Sequence, residues 1–379
     1  MDNLRPVHVA VIGSGAISDI YLQNMINRFD ILQVDAICAN HFENAQKKAE
    51  KYGIRACTYE EILTDKSIEM VVNLTPNCVH YELIKKALLA GKHVYTEKTL
   101  TDDLENAKEL LAIADEKNLY LGSAPDTFMG AAFQTAREII DSGRIGDIHS
   151  FAAAANRDND LLLSMFSFLR MPGGGVCFDY AVYYMTVLIS LLGAVDRVAA
   201  IVRTPYPTHK NIVPQHPEYG KMMDTPNESQ VYAILQLENG IGGTFHLNAD
   251  TVMDDQAFIA IYGTKGILYL PDPNQFGGKI KLLPKSEYPD FSHPTQKEEI
   301  PVTFGFADNS RGIGPAEMAY AIRQGRKNRA SKELAYHVME VLDAMLRSGK
   351  TGTFEKINST CEKPEPLKKA EREEDSIII

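Results

Sequence analysis

The sequence predicts an α/β protein in which a doubly wound parallel sheet is followed by a second α/β region with a mostly antiparallel sheet. Three observations carry that expectation. Short apolar and β-branched runs alternate with helix-like segments in the first part of the chain, the rhythm of βαβ units. Beyond about residue 125 the pattern changes to strand pairs, among them one that flanks Asn239-Gly240, the strongest short hairpin signal. The chain has 379 residues, more than one typical core organises, so two domains are expected.

Taken in order, Val7 to Ile12, Val34 to Cys38, Met70 to Leu74, His93 to Thr96 and Leu119 to Gly122 read as short buried strands. Between them, Val79 to Leu89 and Leu104 to Lys117 read as helices, the second with Asp102 or Asp103 available as its N-cap. In the second region Val231 to Leu237 and Gly242 to Asn248 form the hairpin, with further strands at Phe258 to Tyr262 and Gly266 to Leu270. Late helices are expected at Pro315 to Arg323 and Glu333 to Leu346, with Gly349 as the stop. Glu362 to Asp375 is charged and carries Pro364 and Pro366, which reads as a loose tail. The expected domains are therefore residues 1–125 and 126–360, with a flexible tail over 361–379.

The formal charge of -11 disfavours a nucleic-acid partner, since phosphate-backbone binders cluster Lys and Arg. Cys38, Cys57, Cys78, Cys177 and Cys361 are odd in number and scattered. Reduced cytoplasmic thiols are expected, with neither a disulfide framework nor a metal site. The N-terminus has no charged-then-apolar leader and no apolar run reaches membrane-spanning length, so neither secretion nor membrane insertion is expected.

The first strand runs into Gly13-Ser14-Gly15-Ala16-Ile17-Ser18, the Gly-x-Gly start of a dinucleotide loop with Ser in the third glycine position. The first glycine permits a tight turn, and the second lets backbone approach a pyrophosphate held by the following helix N-terminus. At the end of the second strand Asn40 stands where an acid usually binds the ribose. With no Arg or Lys there to favour a 2'-phosphate, NAD is the expected cofactor and NADP stays open. Thr75-Pro76-Asn77 follows the third predicted strand, with His80 in the first turn of the next helix. These residues line the same crevice or form a plain N-capping loop.

Ala90-Gly91-Lys92-His93-Val94-Tyr95-Thr96-Glu97-Lys98-Thr99 ends a strand in an adjacent acid and base. Strand alternation sends Glu97 and Lys98 opposite ways, so the pair is either a solvated turn or a site at the carboxyl end of the sheet. Gly173-Gly174-Gly175 leads into Asp179, Tyr183 and Tyr184 on an apolar helix. Asp179 and Tyr183 share a face by spacing, while capping and core packing are the rival readings.

Together the glycine loop, Thr75-Pro76-Asn77 with His80, Glu97-Lys98, and Gly173-Gly174-Gly175 with Asp179 resemble the glucose-fructose oxidoreductase, inositol dehydrogenase and rhizopine catabolism (Gfo/Idh/MocA) family over nearly the whole chain. The resemblance implies an N-terminal Rossmann domain and a C-terminal α/β domain whose large open sheet forms a dimer or tetramer interface. It carries a role at the substrate hydroxyl onto Lys98 and the acid of an Asp-x-Gly-x-His motif onto Asp179. Two positions depart from the family pattern: Thr99 replaces proline, and Tyr183 stands where histidine is usual. Ala124-Pro125-Asp126-Thr127-Phe128 and Asn309-Ser310-Arg311-Gly312 look most like a subgroup of glycoside 3-dehydrogenases and C-glycoside 3-oxidases. Substrate contacts are then expected at Asp126, Asn156 and Arg157. The implied activity is NAD-dependent oxidation of a ring hydroxyl of a sugar or glycoside; a cyclitol dehydrogenase and a non-catalytic cofactor-binding regulator are the alternatives.

Overall fold

The structure, a computed structural model, describes residues 4–171, 173–253, 258–286 and 296–378. The chain forms two compact units, the first of Met1–Met129, Asn309–Tyr336 and Leu367–Ile379, the second of Gly130–Asp308 and His337–Pro366. The expected boundary near 125 thus falls at Met129, and two later segments return to the first unit.

The first unit alternates β1 (Val7–Ile12), α1 (Ile17–Asn27), β2 (Leu32–Cys38), α2 (Phe42–Tyr52), β3 (Arg55–Ala56), α3 (Tyr59–Thr64), β4 (Met70–Asn73), α4 (His80–Leu89), β5 (His93–Thr96), α5 (Leu104–Glu116) and β6 (Leu121–Ser123). All six strands pair in parallel in the order β3-β2-β1-β4-β5-β6. Val9, Ala10, Val11, Met70, Val71 and Val72 have no exposed surface, as parallel strands covered on both faces require. Strand order reverses between β1 and β4, which opens a crevice at their carboxyl ends. Asp103 caps α5 by accepting from Asn106 N–H at 2.9 Å. Lys92, buried at the start of β5, donates from Nζ to the carbonyls of Asp65 and Ile68 at 2.6 and 2.9 Å. It ties down the loop that leads into β4.

The second unit contains α6 (Ala131–Asp141), β7 (Ile148–Asn156), α7 (Asn159–Met165), α8 (Val182–Leu192), β8 (Val195–Arg203), β9 (Thr208–Lys210), β10 (Met222–Asp224), β11 (Gln230–Leu237), β12 (Gly242–Asn248), β13 (Phe258–Gly263), β14 (Gly266–Leu270), β15 (Ile280–Pro284) and β16 (Glu298–Ile300). The chain then runs through α9 (Ile313–Gln324) of the first unit, α10 (Lys332–Thr351) and β17 (Glu355–Lys356). Nine strands form one sheet, β16-β15-β14-β13-β7-β12-β11-β8-β17, in which only β7 and β12 pair in parallel. The hairpin of β11 and β12 turns at Asn239-Gly240, where Gly240 takes φ 88°. Every residue of α8 is buried, as an all-round apolar helix demands.

Two expectations are corrected. Gly349 does not end the last helix: α10 continues to Thr351, and a Cβ at Gly349 would lie 2.6 Å from Val202 Cγ2, so the glycine lets the helix approach β8. The tail is packed rather than loose through Ile378; Ile379 lies outside the described residues. Ile377 is fully buried, its carbonyl accepts from Arg329 and Arg326, and Glu374 accepts from Ile31 N–H and the Tyr320 hydroxyl. Its charges find partners, Arg372 with Asp30 and Glu373 with Arg28, each at 2.6 Å, which composition alone does not reveal.

Candidate functional site

Four groups of expected residues lie beyond neighbouring strand ends in the first unit: Gly13 to Ile17 after β1, Asn40 after β2, Thr75 to Asn77 after β4, and Glu97 with Lys98 after β5. Gly13 takes φ 103°, and a Cβ there would stand 2.8 Å from the Leu74 carbonyl oxygen. Its N–H donates to Cys38 O at 2.9 Å, so one residue links the ends of three strands. Gly15 differs, because none of the described residues lies within 4 Å of where its Cβ would be. Ala16, the N-cap of α1, supplies no side-chain cap to the helix. Open space beside Gly15 and uncapped helix N–H groups are what a pyrophosphate needs, so the loop fits a dinucleotide.

Asn73, at the end of β4, organises the neighbouring turns. Its amide donates to Thr96 Oγ1 at 3.0 Å, and its side-chain oxygen accepts from Thr75 Oγ1 at 2.7 Å. His80, expected at the cofactor, is fully buried, with Nδ1 2.7 Å from Thr99 O and Nε2 2.8 Å from Thr75 O. Burial holds the imidazole below its ordinary pKa, and a neutral ring donates to one of these carbonyls at a time. The structure therefore corrects the expectation: His80 clasps the turns after β4 and β5 from beneath. Glu97 accepts from the Tyr21 hydroxyl at 2.7 Å and from Lys98 N–H at 3.1 Å, which fixes the acid as support for the turn bearing Lys98.

Asp126 is also corrected. It is 1% exposed, and Oδ2 accepts from Gly312 N–H at 3.3 Å and Gly314 N–H at 3.1 Å, so it caps α9 instead of reaching a substrate. Burial pushes its carboxyl up to about 6, with Glu97 reinforcing and Arg311 opposing. Between the ordinary carboxylate range and that value the folded state binds more protons than the unfolded one, so stability falls as pH rises from about 4 to about 6. Asp126→Asn keeps an acceptor oxygen but cannot ionise. Thermal melts across this window should show wild type losing on the order of 3 kcal/mol relative to the variant. Parallel curves would remove the assignment.

In the second unit, Arg157, Asn159, Asp179, Tyr180 and Glu228 line one cleft, with Leu162 and Leu169 as apolar wall. The Arg157 guanidinium lies 4.1 Å from the centroid of the Tyr180 ring, a cation–π contact. The Tyr180 hydroxyl donates to Asp272 Oδ2 at 2.6 Å, which holds the ring in place. Asn156 ends β7 one residue before Arg157. Asp179 sits in a π-helical turn, Cys177–Ala181, that feeds α8. This wider turn alters the phase assumed from the spacing of Asp179 and Tyr183. Tyr183 is 8% exposed, its ring 5.9 Å from that of Tyr180, and it is not among the cleft-lining residues. Tyr180, Glu228 and Asp272 were not anticipated. Tyr180 had a signal, as it lies within the Asp179 motif; Glu228 and Asp272 had none.

Residues 7–124 match the NAD-binding Rossmann-fold domain of the GFO/IDH/MocA oxidoreductase family, and residues 133–269 match the GFO/IDH/MocA C-terminal domain. An uncharacterized oxidoreductase of Schizosaccharomyces pombe is 31% identical over 201 residues, covering 52% of this chain and 54% of the relative. The dTDP-3,4-didehydro-2,6-dideoxy-α-D-glucose 3-reductase of Actinomadura kijaniata is 30% identical over 210 residues, covering 53% and 61% respectively. The chain spans about half the length of the first of these relatives. A levoglucosan dehydrogenase solved with NADH and L-sorbose shares the fold, with a TM-score of 0.80, 20% identity, and coverage of 93% of this chain and 99% of that one. Among the described residues no helix is long and apolar enough to cross a membrane. With the strand order, the glycine loop and both domain matches in agreement, the chain belongs to the GFO/IDH/MocA family of oxidoreductases, with an NAD-binding Rossmann domain at its N-terminus.

Proposed function

We propose that this protein oxidises a ring hydroxyl of a sugar or glycoside, at C3, to the ketone, in the manner of glycoside 3-dehydrogenases. The observation that carries this reading is the cleft of the second unit, where two carboxylates, a guanidinium and two amides meet apolar wall, the mixture that suits a hydroxylated ring. The Actinomadura relative, a 3-reductase of a dTDP-sugar, supports the choice of C3. Bound NAD supplies the hydride acceptor. Gly13, Ser14, Gly15, Ala16 and Ile17 would hold its pyrophosphate, Asn40 its ribose, and Thr75, Pro76 and Asn77 the crevice beside it. Lys98 takes the hydroxyl proton and Asp179 orients the sugar, while Tyr183, in the place of the histidine usual in the family, packs on Tyr180 of the cleft wall. The setting we propose is cytoplasmic.

The test follows absorbance of reduced nicotinamide when methyl glucosides, other glycosides and myo-inositol are each added with NAD. Growth of the band with a glycoside, and a product reduced by borohydride at C3, is the expected result. Turnover of inositol alone would redirect the reading to a cyclitol, and no turnover with any polyol would sink it.

We also propose a homo-oligomer formed through the open face of the nine-stranded sheet. Ile234 and Ile201 are 56% and 62% exposed, and their register places them on one face with Tyr232, Ala152 and Ala154. Ile234→Glu should convert a dimer or tetramer to monomer in sedimentation velocity, with an unchanged far-ultraviolet spectrum. A wild-type monomer would refute it.

A further inference from the structure

We propose that Glu228 is a substrate-recognition residue, whose carboxylate accepts a hydrogen bond from a ring hydroxyl and so selects neutral polyol rings over anionic sugars. The proposal rests on the sugar-oxidising reading and extends it to the group that reads the hydroxyls.

Glu228 belongs to the turn before β11 and lines the same cleft as Asp179 and Arg157. Its backbone carbonyl accepts from Val176 N–H at 3.1 Å, and Oε1 accepts from Cys177 N–H at 2.9 Å. Main chain and side chain are both held by the segment that delivers Asp179. A Cβ at Gly175 would lie 2.1 Å from Oε1 and 2.3 Å from Cδ and Oε2. The carboxylate thus rests over the Gly175 backbone, where any side chain would displace it. This gives the third glycine of the run a purpose that turn geometry does not supply.

A capping role alone does not account for this arrangement. The Cys177 N–H engages one acceptor position of a carboxylate that offers about four. Among the described residues no cation pairs with Glu228, and burial pushes its carboxyl above the ordinary range. A group held at that cost beside a cleft has acceptor capacity for a ligand. An ionised carboxylate only accepts, and sugar hydroxyls donate. Arg157 adds the complementary donor, since its Nε is buried without a hydrogen-bond partner among the described residues. Two carboxylates and one guanidinium leave an acidic balance, which penalises a carboxylated ring by like-charge repulsion.

Glu228→Gln tests this in the full-length protein with methyl glucoside and the corresponding methyl glucuronide. Losing a charge-assisted hydrogen bond should raise KM for the glucoside by roughly 10–100-fold with kcat little changed, and shrink the preference for glucoside over glucuronide. NAD affinity and melting temperature should stay at wild-type values. Gly175→Ala, which displaces the carboxylate without removing it, should reproduce the KM rise, so the test does not depend on one variant. Unchanged KM and selectivity in both variants would overturn the proposal. If wild type turns over no polyol, the functional reading has failed. Calorimetric titration of wild type and Glu228→Gln with methyl glucoside then decides recognition: weaker binding by the variant supports it, equal or absent binding ends it.

Discussion

Replacement of Lys98 by alanine is expected to slow hydride transfer on the order of 10²–10⁴-fold while leaving NAD affinity near wild type. The backbone around Lys98 is fixed independently of its amine. Glu97 N–H donates to Asn73 O at 2.8 Å, Ala124 N–H donates to Thr96 O at 2.9 Å, and Lys98 N–H is held by the Glu97 carboxylate. Alanine keeps all three bonds, so the loss falls on proton removal rather than on the shape of the strand end. Lys98→Arg separates charge from basicity, because guanidinium stays protonated across the working range. If Lys98 acts as the base, arginine fails as alanine does; if it only supplies a positive charge, arginine restores most of the rate. Single-turnover formation of reduced nicotinamide, with NAD binding titrated separately, gives both quantities. A Lys98→Ala variant that keeps full single-turnover rate would remove the central assignment.

The bounds of β1, β5, β12 and β14 are those read from the sequence: β1 and β5 are short apolar runs in the parallel sheet, while β12 and β14 alternate in burial and are bounded by turns. The glycine loop and Glu97-Lys98 were legible as structure because they are local, each a strand end followed at once by its turn. His80 and Asp126 were not. Each carries the polarity expected of a site residue, and only tertiary structure reveals that its lone pairs and protons face backbone groups. The tail misled for a related reason: Pro and charge signal disorder only when the charges lack partners, and Asp30 and Arg28 supply them from the far end of the chain. Tyr183 shows the limit of periodicity, since the π-helical turn before α8 shifts the phase that spacing assumes. Glu228 has no local signature at all. Its meaning comes from lying over Gly175, a contact that no single segment encodes.

The two glycines of the cofactor loop should separate folding from binding. Gly13→Ala is expected to lose NAD binding and to destabilise the first unit by about 3 kcal/mol or more, the combined cost of a left-handed non-glycine backbone and a forced contact. The contact cannot relax cheaply, because the new Cβ would meet Leu74 O at 2.8 Å and Leu74 C at 2.9 Å. Leu74 is itself held by its N–H to Ile12 O at 2.7 Å, while Gly13 is held to Cys38 O. Movement of either residue breaks the junction of β1, β2 and β4. Gly15→Ala meets neither obstacle, as its φ is ordinary for an L-residue and no atom of the described residues lies within 4 Å of the added methyl. It should melt with wild type. Yet the space the methyl enters is the space a pyrophosphate would use, so NAD affinity should fall at least tenfold at unchanged melting temperature. Differential scanning calorimetry paired with NAD titration reads both variants. A Gly15→Ala protein that binds NAD like wild type would show that the cofactor does not approach the backbone there, and the assignment of the loop would have to move.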